Sequence, residues 1–386
     1  MSEPPRVYLD HNATTPVRPE VREAMLPYLG GSFGNPSSVY SLGQAARRAV
    51  EEAREHVAEL IGAMPGEIVF TSCGSESDVL AVCGAARAAH RRDAGERRHI
   101  ITTEVEHEAV HGACRLLPAR DFTATKLPVD DEGRVAPADV AAAIRPATAV
   151  VSVMLANNET GTIQPVGAIA EACRGRDILV HTDAVQAVGK IPVSVTALGV
   201  DLLSLSGHKI NAPKGVGALY IRAGIKLEPL IAGFQERQRR GGTENVASIV
   251  GLGTAAALIR GELAAHGTEL LELRRRLEAG LDRLPGARRT CRTGERLPNT
   301  CHYCFAEVDG HHLVVSLDLE GFCVSGGPAC SGGMTELSHV LKAMRVPPEA
   351  GRGALRISLG WGSQREDIDR FLEVLPGTLD RLRRAE

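Results

Sequence analysis

The chain has 386 residues, 44% of them hydrophobic, with 44 basic and 47 acidic side chains and a formal net charge of -3. That length buries a large core and fits about two domains at roughly 100–200 residues each. Its charges are mixed without a basic block and only 3% of residues are aromatic, which excludes an obvious nucleic-acid surface.

Periodicity predicts helices over 18–29 and 41–61, the second with Ala45, Ala46, Val50, Ala53, Val57 and Leu60 along one face. A short strand at 67–70 turns through TSCGSES into a helix at 78–89. Strands recur at 99–102, 149–154, 178–181, 201–204 and 217–221, with helices between most of them. Such alternation predicts an α/β fold with a mostly parallel sheet covered on both faces. After about residue 250 the texture changes. Two long charged helices, near 251–263 and 269–284, lead to a strand at 300–305, a helix at 311–319 and a strand at 322–325. A helix at 337–343, a strand at 354–358 and a helix at 364–383 complete a smaller α+β domain.

The N-terminus lacks the cationic start and apolar stretch of a secretory signal, and no apolar run approaches the ~20 residues of a membrane span. No membrane partner is therefore expected. The nine cysteines are scattered and odd in number, which reads as free thiols in a cytoplasmic protein rather than a disulfide framework. Cys301 and Cys304 form a CxxC pair, but on a strand they face opposite sides. No second pair completes a zinc site, so a structural role and no metal are expected.

Five segments carry chemistry. In SLSGHK a strand ends in a polar turn that presents Lys209, one of only six lysines. A lysine so placed can form a Schiff base if its neighbours lower its pKa, although an isolated loop lysine is more often just solvated. Ser206 and His208 beside it can bind a phosphate. In HTDAVQ, Asp183 stands at a strand's C-terminal end, where open α/β sheets place ligands. It can face a pyridine nitrogen, or simply cap the next helix. In FTSCGSE the chain turns through Gly74 into a helix start suited to phosphate. MLANNETG again follows an apolar strand, so these four segments share one pocket. In VSGGPACSGG, glycine pairs flank Cys330 on a segment without apolar period. That predicts an exposed, mobile loop over 324–336 rather than a buried structural cysteine.

In order, YLDHNATTPV, GNPSS, TEVEHEAV, NNETGT, HTDAVQAVGK, SGHKINAPKGVGALY, GGTENVASIVGLG, the Cys330 loop and LRISLG resemble the cysteine desulfurases of the NifS/IscS type. These belong to the class V, fold-type I enzymes that use pyridoxal 5'-phosphate. The resemblance covers nearly the whole chain. It implies a large domain (16–260) with a mostly parallel seven-stranded sheet. A smaller domain (1–15 with 261–386) would carry the cysteine loop.

The resemblance also implies roles. Lys209 would anchor the cofactor covalently, Asp183 would hold its pyridine nitrogen and Gln186 its phenolic oxygen. His107 would stack on the ring and shuttle protons. Gly74, Ser75, Ser206 and His208 would hold the phosphate, with Thr243 reaching the site of the other subunit in a homodimer. Asn35, Asn158 and Arg356 would hold L-cysteine, and a guanidinium suits its carboxylate. Cys330 would take the sulfur as a persulfide and deliver it to an acceptor, such as an iron–sulfur scaffold protein. A selenocysteine lyase or a class V aminotransferase has the same fold, but an aminotransferase has no use for Cys330. The loop reads GGPACSGG where the family more often has SSGSAC, and Cys73 stands where a small residue is common. Neither change removes a catalytic group.

Overall fold

The computed structural model describes residues 6–326 and 337–384. Strand β1 (Val7–Tyr8) comes first. Next are β2 (Ile68–Thr71), β3 (His99–Thr103), β4 (Thr123–Leu127) and β5 (Thr148–Ser152). Then come β6 (Leu179–Asp183), β7 (Leu202–Ser206) and β8 (Gly217–Ile221). The chain continues through β9 (Ala287–Arg289), β10 (Thr300–Phe305), β11 (Phe322–Cys323) and β12 (Ala354–Ser358). The large sheet has seven strands in the order β2-β8-β7-β6-β5-β3-β4. Only β8 runs against its neighbours, so the sheet is mostly parallel as expected.

Alternating side chains fill one core on each face. Ile68 and Phe70 of β2, with Leu203 and Leu205 of β7, point into the first. Val69, Leu202, Leu219 and Ile221 point into the second. The edge strand β4 escapes the sequence reading because TATKL is polar and mostly exposed, so no apolar run marks it. A parallel register with β3, from His99↔Thr123 to Thr103↔Leu127, holds it instead.

The two helices expected near 251–263 and 269–284 are one helix, Val246–Leu281, capped by Asn245. Gly261 and His266-Gly267 interrupt the apolar period, and mid-helix glycine lowers helix propensity without forbidding it. By length and hydropathy this helix could span a membrane, but half of its most apolar stretch is buried inside the fold. Ile249, Leu252, Ala255 and Ile259 join the first core of the large sheet. Leu270, Leu277 and Leu281 join a third core with Tyr303, Phe305, Leu313 and Phe371. That core lies against the antiparallel sheet β12-β10-β9.

Cys301 packs in this third core, while Cys304 belongs to the first core of the large sheet. The pair does face opposite sides of its strand. All eight described cysteines are free thiols. The N-terminal segment joins the small unit: β1 pairs with β11, and Leu9 is fully buried there.

One buried ion pair pins a tight backbone turn. Glu236, Arg237 and Gln238 all have positive φ, at 47°, 58° and 65°. Side chains disfavour that region, so consecutive residues need outside support. Glu236 gives it by accepting two hydrogen bonds from Arg54, at 2.8 and 2.9 Å, and one from the Phe70 amide at 3.0 Å. Both side chains are almost fully buried, at 7% and 2% exposure. Replacing Arg54 by Met leaves an unpaired buried carboxylate and is expected to cost about 3–5 kcal/mol. Urea unfolding measures this, and Arg54→Met with Glu236→Leu should recover part of the loss.

Candidate active site

The parallel strands all end on one edge of the sheet, so the loops that follow them meet there. Asp183 ends β6 and Ser206 ends β7. His107 follows β3, Asn158 follows β5, and Gly74 opens the helix after β2. They line a single cavity of about 540 Å³ with Ser75, Gln186, His208 and Lys209. Arg356 reaches the same cavity from β12 of the small unit.

Two of the expected residues lie elsewhere in the single chain. Asn35 is exposed, and its side chain accepts from the Ser37 amide. Thr243 lines a separate cleft with Ser72, Arg240 and Gly242. Cys330 lies outside the described residues.

Close packing shapes the turns. A Cβ on Gly74 would lie 2.8 Å from Val185 and 3.2 Å from the Ser206 Cβ, so only glycine lets the helix start approach β7. Gly207 has the same constraint against Val216, at 2.8 Å. The turn Gly207–Lys209 then lifts Lys209 over the strand end. Its Nζ donates to the main-chain carbonyls of Asn12 and Ala13, at 2.7 and 2.6 Å.

Asp183 does cap the next turn, accepting from the Val185 amide at 2.9 Å, and it also borders the cavity. Burial pushes its carboxyl above the ordinary value, while His107, that amide and Lys209 oppose the rise. His107 caps the following helix: its Nδ1 accepts from the Ala109 amide at 3.1 Å, so in the neutral ring Nε2 carries the proton. His208 is held to a pKa of about 4 by burial and by nearby Lys209, Lys214 and Lys190, so it is neutral at physiological pH. Arg356 is 1% exposed. It donates to the Asn158 carbonyl at 3.0 Å and to Asp10 at 2.6 Å, and its Nε has no partner.

Several residues that sequence reasoning passed over belong to this site. Asn12 sits inside the quoted YLDHNATTPV, but nothing in its spacing marked it. Asp78 was read only as a helix start. His339 lines the cavity and bonds the Glu106 carbonyl at 2.9 Å. Lys190 is buried behind Gln186, donating to its Oε1 at 2.6 Å. Burial, with Lys209 and Arg356 nearby, holds the Lys190 pKa far below that of an ordinary lysine. The final lysine of HTDAVQAVGK, four residues after Gln186 on the same turn, was the available signal.

Residues 7–371 match the model of the aminotransferase class-V family. A cysteine desulfurase IscS of Methanosarcina thermophila is 48% identical over 98% of this chain and 93% of its own length. A cysteine desulfurase of Cereibacter sphaeroides is 49% identical over 98% of this chain and 97% of its own. A solved NifS-like protein superposes with a TM-score of 0.90 at 39% identity, covering 98% of this chain and all of that one. The chain belongs to the class-V aminotransferase family, among its NifS/IscS-type cysteine desulfurases. The expected fold class holds as well: a class-V enzyme with a large mixed sheet and a smaller C-terminal unit.

This class-V site stores a proton close to its catalytic edge. Glu106 is fully buried and accepts from the Met154 amide and the Thr103 hydroxyl. Burial pushes its pKa up to about 8, from an ordinary 4.5. Folding therefore favours the protonated carboxyl. Its contribution is complete below pH 4.5 and is lost as pH rises to about 8. Glu106→Gln should reduce the loss of stability between pH 5 and pH 8 by on the order of several kcal/mol. Urea unfolding of both proteins at the two pH values measures it.

Proposed function

We propose that this enzyme converts L-cysteine to L-alanine with pyridoxal 5'-phosphate as cofactor and carries the sulfur as a persulfide on Cys330. The observation that carries this reading is convergence. A lysine amine, a buried carboxylate and a guanidinium with an unpartnered Nε meet in one cavity.

The residues fit the cofactor. Ser206 Oγ is buried without a partner beside the close approach at Gly74, as a phosphate subsite requires. His208 and Ser75 line the same end. Lys209 would be the covalent anchor, Asp183 the partner of the pyridine nitrogen and Gln186 that of the phenolic oxygen, with His107 over the ring. When bound, the cofactor supplies an electron sink that weakens bonds at the amino acid's α-carbon.

The protein supplies orientation and proton control. Arg356 Nε and the side chain of Asn158 would grip the substrate carboxylate, and Asn35, outside this chain's own cavity, would act at the site of a second copy. Lys209 Nζ, steered by two carbonyls, would take the α-proton. Cys330 thiolate would attack the substrate sulfur. The Cβ–S bond breaks, its electron pair ends as a C–H bond on alanine after protonation, and the S–S bond forms on Cys330.

The same reading includes a homodimer and a division of the chain near residue 260, within the long helix. The position of Thr243 outside this chain's own cavity supports a shared site. Exposed Phe33, Val39, Tyr40 and Phe234 supply apolar surface for a second copy. Cys330 would hand its sulfur to an acceptor protein, such as an iron–sulfur scaffold, in the cytoplasm.

Mass spectrometry after one turnover with L-cysteine should find one added sulfur on the Cys330 peptide. Addition on Cys73 or Cys323 instead, or normal turnover by Cys330→Ser, overturns the assignment. Lys209→Ala should lose the borohydride-reducible absorbance of the bound cofactor together with all turnover. A retained, reducible chromophore would assign the anchor to another lysine.

A further inference from the structure

A second carboxyl group borders the cavity beside Asp183. Asp78 projects from helix Gly74–Val79 and is 1% exposed. One ligand atom each of Asp78, Asp183 and His107 lie within 4.8 Å of one another. Two buried carboxylates that close cannot both be ionised at low cost, so the pair retains a proton.

The surroundings decide which member holds it. Asp183 accepts from a backbone amide and faces Lys209 and His107, both of which favour its charge. Asp78 Oδ1 accepts no hydrogen bond among the described residues, His181 Nε2 standing 3.6 Å from it, and the Ser204 hydroxyl is the group whose hydrogen bond favours its charge. That hydroxyl ends a buried chain: Ser152 Oγ lies 2.8 Å from His181 Nδ1, and His181 Nε2 lies 2.9 Å from Ser204 Oγ. His181 is held to a pKa of about 3 by burial, so the chain brings no cation. Among the acidic neighbours, Asp183 acts most strongly on Asp78, and its negative charge disfavours a second one, while Glu106, which holds its own proton, adds no charge at neutral pH. Burial and Asp183 raise the Asp78 pKa well above the ordinary value.

We propose that Asp78 is a positioning residue that keeps one proton as a neutral carboxylic acid, so that the single negative charge of the pair stays on Asp183. This rests on the reading of Asp183 as partner of the pyridine nitrogen. The acid acts through Asp183. It fills the space beside the carboxylate without competing for the pyridinium proton, and it leaves that proton one anionic acceptor. Ser152, His181 and Ser204, on three neighbouring parallel strands, hold the acid in place.

Difference infrared spectroscopy of the holoprotein at neutral pH tests the proposal. A neutral carboxylic acid has a carbonyl stretch that carboxylates lack. Subtracting the spectrum of Asp78→Asn from that of the unchanged enzyme should leave one such band. Its absence means that Asp78 is ionised and overturns the proposal. Asp78→Ser is measured in parallel, so that poor folding of one variant still leaves a result. A residue that only filled space could be ionised or neutral, and the band separates the two. The absorbance of bound pyridoxal phosphate against pH gives a second readout. Asp78→Asn, uncharged and of the same shape, should keep the neutral-pH spectrum, whereas Asp183→Asn should lose it. A shift in Asp78→Asn as large as that in Asp183→Asn means that Asp78 carries charge, and it overturns the proposal. If Asp183→Asn leaves the spectrum unchanged, the reading of Asp183 fails instead, whatever the infrared band shows for Asp78.

Discussion

The main-chain carbonyl of Asn12 is the joint on which the site depends. It accepts from Lys209 and from Gln186 at once, at 2.7 and 2.9 Å. Its side chain accepts from Lys190 and Asn299 and donates to Thr300 and the Asn158 carbonyl. Residues from both units thus meet at one buried asparagine. Its bonds to Lys209, Gln186, Lys190 and Asn158 cross between the units, those to Asn299 and Thr300 stay within the small one, and leaving one such buried group unmatched costs about 1–3 kcal/mol. The relative placement of the two units is therefore set by hydrogen-bond satisfaction as much as by apolar contact.

The same arrangement explains the electrostatics of the cavity. Lys190 and Lys209 both donate to Asn12, Lys190 to its side-chain oxygen and Lys209 to its main-chain carbonyl, and burial holds Lys190 toward its neutral form. Arg356 keeps its charge balanced by Asp10 at 2.6 Å while one of its nitrogens stays unmatched. A cavity with an unmatched cationic donor and an unmatched Ser206 hydroxyl is prepared for anionic groups. A cysteine carboxylate and a phosphate are two such groups.

The parallel sheet and the turns around Lys209 and Asp183 were legible in the sequence, because each strand is a short apolar run ending in polar residues. Strand β4 was not, since its stability comes from pairing and TATKL carries no apolar pattern. The long helix was read as two because its glycines and His266 break the apolar period but not the backbone. Within the site, the residues that follow strand ends were found and those beside them were not. Asp78, Glu106 and Lys190 each look like an ordinary surface charge in one dimension. Their burial is decided by elements far away in the chain, and a local pattern does not carry it. Asn35 and Thr243 sit apart from the cavity of a single chain, so their expected roles require a second copy.

The helix Val246–Leu281 is shared property. Its first half fills the core under the large sheet and its second half fills that of the small unit. Neither half can melt without stripping apolar surface from the other's neighbour, so the two cores are joined into one cooperative unit. An excised fragment ending near its middle would expose a severed apolar helix face and would lack half of the joint at Asn12. The chain is therefore divisible on paper but not by a protease: its two units are expected to melt in a single transition, with no stable half left behind.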